Sequence, residues 1–157
     1  SLGSTEFVCN LVKSSAGTFQ SFLPAIIFVI ACLIAFATGT SWGTFGILIP
    51  IVLSVFSGAD GNITIIAVSA CMAGAVCGDH CSPISDTTIM ASAGGQCDHI
   101  KHVSTQLPYA LTVAAVSFVS YIIAGFLTEW YISLPIAVVL MIATLFVIKS
   151  FENKKAK

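Results

Sequence analysis

An all-α polytopic membrane protein is the fold class that this sequence predicts, and three observations carry the prediction. Of 157 residues, 57% are hydrophobic and only 8% charged, where a soluble domain has about 25% charged residues. The apolar residues come in long runs, and about 20 such residues cross a bilayer core as a helix. Two of the runs are interrupted by glycines, hydroxyls and carboxylates. Irregular backbone at membrane depth persists only where it is buried in protein or lines a wet cavity. The interruptions therefore predict a re-entrant helical hairpin plus a broken transmembrane helix.

The same composition excludes other classes. The net charge is -1 and all six basic residues are lysines, so the electrostatic footprint of nucleic-acid binding is missing. Of the six cysteines, Cys32, Cys71, Cys77 and Cys81 fall in or beside apolar runs, where cysteine behaves as a small hydrophobe. A disulfide framework belongs to short secreted domains and is not expected here. The chain starts at Ser1 and shows no basic segment with a cleavage site, so it reads as the C-terminal piece of a longer protein.

Residues 1–20 are weakly amphipathic and carry Glu6 and Lys13; they read as an interfacial helix or the truncated end of a span. The transport domain is expected over 21–157. Its first part, 21–56, is apolar except for Thr38-Gly39-Thr40-Ser41-Trp42-Gly43-Thr44. The flanks 22–37 and 45–56 are each too short to span and together too long for one straight helix, so two half-helices are expected. One tilted, broken span is the competing reading. Glycine at the tip permits the reversal, and Trp42 is expected to pack against whatever the tip binds. Residues 57–62 form a turn cluster.

The broken crossing is predicted over 63–93. Its first half carries Ala70, Gly74 and Gly78 at four-residue spacing, a stripe that lets another helix approach closely. Then comes Gly78-Asp79-His80-Cys81-Ser82-Pro83-Ile84-Ser85-Asp86-Thr87-Thr88-Ile89-Met90. Ser82 before Pro83 reads as the N-cap of a second half-helix, which puts Asp86 near the positive end of its dipole. Residues 94–106 read as a polar loop with Cys97, Asp98, His99, Lys101 and His102. A full span follows at 107–127, with Tyr121 as a packing residue whose hydroxyl is satisfied. Glu129-Trp130-Tyr131 reads as an interfacial connection, 134–148 as a short last span, and 149–157 as a basic tail. Lys149, Lys154, Lys155 and Lys157 place that tail in the cytoplasm. The Lys101 loop then lies on the same side, and the hairpin and the broken crossing both enter from outside, where Lys13 also lies.

An ionised group at bilayer centre costs about 2.5–3.5 kcal/mol on insertion scales, so it normally faces a pathway or a partner. Thr38, Thr40, Ser41 and Thr44 at one interruption are expected to meet Ser82, Ser85, Asp86, Thr87 and Thr88 at the other. Hard cations take carboxylate, hydroxyl and carbonyl oxygens, and unwound backbone frees carbonyls for such a site. Desolvation makes a carboxyl group hold its proton, and a bound cation displaces it. Asp86 and Asp79 are the expected exchanging pair, with Asp86 at the centre. On a purely structural reading, Ser82 and Asp86 cap a kinked helix and Asp79 pairs with His80. Cys97, His99 and His102, with Cys77, His80 and Cys81, carry metal-ligand chemistry, but without the paired spacing of zinc sites. The loop histidines are better placed to sense pH at the cytoplasmic mouth.

Three motifs now combine: Ala37-Thr38-Gly39-Thr40-Ser41-Trp42-Gly43-Thr44-Phe45-Gly46, Gly78-Asp79-His80-Cys81-Ser82-Pro83-Ile84-Ser85-Asp86-Thr87-Thr88, and Thr105-Gln106-Leu107-Pro108-Tyr109-Ala110. In this order, over residues 20–127, the sequence resembles the C-terminal half of NhaC-type sodium/proton antiporters of the ion transporter superfamily. The resemblance implies the C-terminal repeat of an inverted-repeat transporter, each repeat holding a re-entrant hairpin and a broken helix. It further implies exchange of Na+ for H+ across the prokaryotic plasma membrane, with no cofactor beyond the transported ions. Some such transporters couple exchange to organic acids such as lactate and malate, which is the alternative reading; a membrane metal-binding or thiol protein is the remote one. Under the main reading Thr40, Ser41, Ser85 and Asp86 ligate sodium, Thr38, Ser82 and Thr87 lie around them, and Asp79 is the proton carrier or a second acid. The bilayer, the missing N-terminal repeat and a second copy of the chain are the expected partners.

Overall fold

The computed structural model describes residues 17–155, and among these residues it forms helices and no strands. In chain order they are α1 (Gly17–Thr38), α2 (Ser41–Val55), α3 (Gly61–Cys81), α4 (Asp86–Gly94), α5 (His99–Leu127) and α6 (Trp130–Lys155). Among the described residues, four stretches are long and apolar enough to cross a membrane: Gln20–Thr38, Gly61–Cys81, His99–Leu127 and Trp130–Phe151. The chain is a multi-pass membrane protein. The segment expected at residues 1–20 lies outside the described residues, except for its last four, which open α1.

α1 ends where Gly39 takes a left-handed conformation (φ +69), the usual way to terminate a helix without a Cβ penalty. Its N–H returns to the Ala35 carbonyl at 2.8 Å. Thr40 is extended and caps α2, its hydroxyl accepting from the Gly43 N–H at 3.4 Å. The helix break expected at this tip is thus present. The first limb is longer than expected, because Gln20 and Ser21 continue the helix instead of bounding it. Its 19-residue apolar stretch has the length of a complete crossing, whereas α2, with 15 residues, spans about 22 Å.

One core joins the first three helices: Ala31 and Ala35 of α1, Val52 and Phe56 of α2, and Ile63, Ala67, Cys71 and Ala75 of α3. Small side chains dominate because the backbones touch. A Cβ at Gly74 would run into the Phe28 carbonyl, and one at Gly78 into the Cys32 carbonyl. These contacts advance together along both helices, so α1 and α3 run side by side in the same direction. The stripe read from the sequence is the seam of that pair. Gly125 of α5 meets the Ser21 carbonyl in the same way.

The start of α3 is tied to the α5–α6 connection by Asn62 Nδ2, which donates to Glu129 Oε2 at 3.3 Å. The starts of α1 and α3 therefore lie at one end, and the α1–α2 tip, the α3–α4 break and the start of α5 at the other. Tyr121 packs on Phe28, with ring centroids 5.6 Å apart, and its hydroxyl bonds Ser69 at 3.0 Å, as expected.

Two expectations need correction. Residues 99–106, read as the end of a polar loop, are the first two turns of α5. Asp98 caps that helix, Oδ1 accepting from the Lys101 N–H at 2.8 Å, and the charges that suggested a loop sit on its solvated end. Asp98→Ala should therefore loosen the first turn by about 1 kcal/mol, seen as roughly fivefold faster amide exchange at Lys101. Likewise α6 is longer than the expected 134–148, because Trp130 and Tyr131 open it and Lys149 continues it. Leu134, Val139, Leu145 and Phe146 on α6 are exposed, as suits a helix facing lipid.

Candidate functional site

The two interruptions meet. A Cβ at Gly39 would lie 3.0 Å from both Cγ1 and the carbonyl oxygen of Ile84, so glycine alone lets the α1–α2 tip close on the α3–α4 break. Beneath this contact lies Asp79, in the last turn of α3 and only 3% exposed. Ser41, the first residue of α2, donates Oγ–H to Asp79 Oδ2 at 3.1 Å. Ser85, the N-cap of α4, donates to Oδ1 at 2.6 Å. The single proton of Ser85 is thereby committed, so Thr87 donates to Ser85 across their 2.7 Å contact. Each carboxylate oxygen has one hydroxyl partner, drawn from opposite interruptions.

Ser82, Ser85, Thr88 and Thr44, from the same two interruptions, are also buried. Ser82 is fully buried and its Oγ has no hydrogen-bond partner, an arrangement that costs about 1–3 kcal/mol. A ligand oxygen acceptor or a cation beside it would remove that cost.

The structure reorders the expected site residues. Ser82 closes α3, its N–H bonding the Asp79 carbonyl at 3.1 Å, and does not cap α4. Pro83 and Ile84 form a turn closed by Ser85 N–H to the Ser82 carbonyl at 3.4 Å, which delays the new helix by three residues. Asp86 does open α4, but it is exposed and accepts from its neighbour's N–H, Thr87, at 3.0 Å. Asp79, not Asp86, is the acid that the two interruptions enclose. Thr38 bonds back to the Ile34 carbonyl at 2.8 Å, and Thr40 is occupied as the α2 cap. Trp42 is 82% exposed, edge-on to Phe45 at 5.9 Å; it lies about 100° round α2 from Ser41 and so turns away from the site. His80 Nδ1 bonds the Val76 carbonyl at 2.9 Å, so no Asp79–His80 pair forms.

Sequence reasoning also left the break's carbonyls free, and the structure engages several of them. Asp79 and Ser82 carbonyls accept from backbone N–H groups, as above. The His80 carbonyl accepts from Gln106 Nε2 at 3.1 Å, and the Pro83 carbonyl lies 2.7 Å from His99 Nε2. His99 and Gln106 were not anticipated here. Their signal is spacing: seven residues apart, they share one face of a helix. Among the described residues, no three His, Cys, Asp or Glu side chains converge on a metal-binding position.

The sequence profile of the Na+/H+ antiporter family matches residues 2–126. The chain is 50% identical over 144 residues to an uncharacterized protein of Haemophilus influenzae, covering 92% of this chain and 27% of that protein. It is 32% identical over 99 residues to the malate-2H(+)/Na(+)-lactate antiporter of Bacillus subtilis, covering 63% and 21%. It is 35% identical over 96 residues to an uncharacterized Na(+)/H(+) antiporter of H. influenzae, covering 61% and 20%. The chain thus spans about a quarter or less of the length of these relatives. No solved structure matches it significantly.

Proposed function

The chain belongs to the Na+/H+ antiporter family, and on that premise we propose that it forms the C-terminal part of a secondary transporter exchanging Na+ for H+ at Asp79. The observation that carries this reading is one buried carboxylate, bonded to Ser41 from one helix interruption and Ser85 from the other, with the unpartnered buried hydroxyl of Ser82 in the same break. Sodium is a hard cation suited to such an oxygen set. When it enters, the Ser41 and Ser85 hydroxyls rotate to offer lone pairs, and Ser82 gains its first partner. A proton on Asp79 neutralises the same acid, so the two ions compete for one place and each drives the other out. Asp86, exposed in the first turn of α4, is the second acid at the mouth of the site.

The α1–α2 hairpin is re-entrant in this reading, and an N-terminal inverted repeat supplies the opposite wall. Lys101 lies at the break end and Lys149 at the far end of α6, and the excess of lysine on cytoplasmic loops supports the reading that this side faces the cytoplasm and the membrane is the prokaryotic plasma membrane. A second reading, exchange of organic anions with Na+ or H+, is favoured by the name of the B. subtilis relative. This chain carries no arginine to clamp a carboxylate.

The test uses the full-length protein in proteoliposomes with a pH-sensitive dye. Sodium pulses should move protons, and Ser41→Ala and Ser85→Ala should each raise the half-saturating sodium concentration about tenfold, the equivalent of one hydrogen bond to a charged group. Malate or lactate counterflow without any sodium-driven proton movement would replace this reading with the second.

A further inference from the structure

We infer that His99 and Gln106 are positioning residues of the ion site, the two arms of a bracket by which α5 holds the α3–α4 break. The inference rests on the assignment of Asp79 as the exchanging acid. A helix that stops inside a membrane leaves carbonyls without partners, and each such group is costly away from water. At this break, backbone N–H groups satisfy the Asp79 and Ser82 carbonyls. Two more carbonyls there, those of His80 and Pro83, are met by side chains that reach across from α5, Gln106 Nε2 at 3.1 Å and His99 Nε2 at 2.7 Å.

A carbonyl only accepts, so His99 carries a proton on Nε2. Its other nitrogen lies 3.1 Å from Ser92 Oγ on α4. One imidazole therefore spans from the turn before α4 to the helix itself, while Gln106 fixes the last turn of α3. Ser85 sits between these two anchored points, and its 2.6 Å bond to Asp79 depends on where they hold it. Neither side chain touches Asp79. They act through the backbone of residues 80–83, and the cap at Asp98 sets the helical phase that aims both at the break.

Glutamine carries its terminal N–H2 at about the reach of histidine Nε2, so His99→Gln keeps the donor and His99→Ala removes it. In the full-length protein, His99→Ala should raise the half-saturating sodium concentration about fivefold, the worth of one neutral hydrogen bond, with little change in maximal rate. His99→Gln should return it to within about twofold of the parent. Gln106→Ala should act in the same direction, and the double variant should cost less than the sum, as for residues sharing one structural element. Amide exchange, which needs no transport, should quicken over residues 82–89 in His99→Ala and stay unchanged over α2. Unchanged exchange over 82–89, an effect on maximal rate alone, or a His99→Gln variant as impaired as His99→Ala would each overturn the bracket. Sodium-independence of the parent would instead refute the antiporter reading, and the exchange measurement would still decide whether the bracket exists.

Discussion

Asp79→Asn should abolish sodium-driven proton movement in the full-length protein, by more than about a hundredfold, while Asp86→Asn should leave most of it. Asparagine matches aspartate in size and can still accept from Ser41 or Ser85, so the meeting of the two interruptions survives. It can neither carry the transported proton nor present a negative charge to the cation. At an effective dielectric near 20, a unit charge pair at 4 Å is worth about 4 kcal/mol, more than the roughly 2.8 kcal/mol that makes a hundredfold. Asp86 is exposed, and the bond shown for it is to the Thr87 N–H. Its removal withdraws a charge near the helix start, an effect of about 0.3–1 kcal/mol. Initial rates of dye response after a sodium pulse, compared at equal protein content, separate the two variants.

The second large effect concerns the seam between α1 and α3. Gly74→Ala should lower the stability of the purified full-length protein by at least about 1–3 kcal/mol, the usual cost of forcing a methyl group into a packed interior. The added carbon would meet the Phe28 carbonyl, which is backbone and can yield only if α1 moves away. Separating α1 from α3 would also open the core formed by Ala31, Ala35, Ala67 and Ala75. Gly46→Ala is the contrasting case: its Cβ would meet nothing within 4 Å, and alanine is favoured over glycine inside a helix by about 1 kcal/mol. Thermal midpoints in detergent should therefore fall for Gly74→Ala and hold or rise for Gly46→Ala, although both exchange the same atoms inside apolar helices.

Much of this was legible in the sequence because membrane helices obey few rules. Apolar length predicts the crossings, and polar residues inside them mark the places where backbone must be sheltered. The Ala70, Gly74, Gly78 stripe named the seam correctly because close approach requires small residues at four-residue spacing. The tip at Gly39 and the break after Asp79 were read from the same logic, and the structure joins them. The order of importance within the site was not legible. Asp79 and Asp86 differ in which way their side chains face, and that depends on where α4 begins. Ser82-Pro83 imitates a helix start, but the turn through Ile84 displaces the N-cap to Ser85, and Asp86 moves outward with it. The bracket was hidden for a different reason. Asp98, His99, Lys101 and His102 look like a solvated loop in one dimension, and only the continuous α5 shows that His99 and Gln106 lie on one face.

Proton release on sodium binding tests the central claim most directly. Purified full-length protein in weakly buffered detergent solution, taken from a series of starting pH values, is titrated with sodium chloride against a choline chloride control while pH is followed. Competition for one carboxylate predicts a saturable, sodium-specific acidification approaching one proton per bound ion, lost in Asp79→Asn and retained in Asp86→Asn. Release that survives Asp79→Asn and disappears in Asp86→Asn would contradict the account and return the exchange to the first turn of α4.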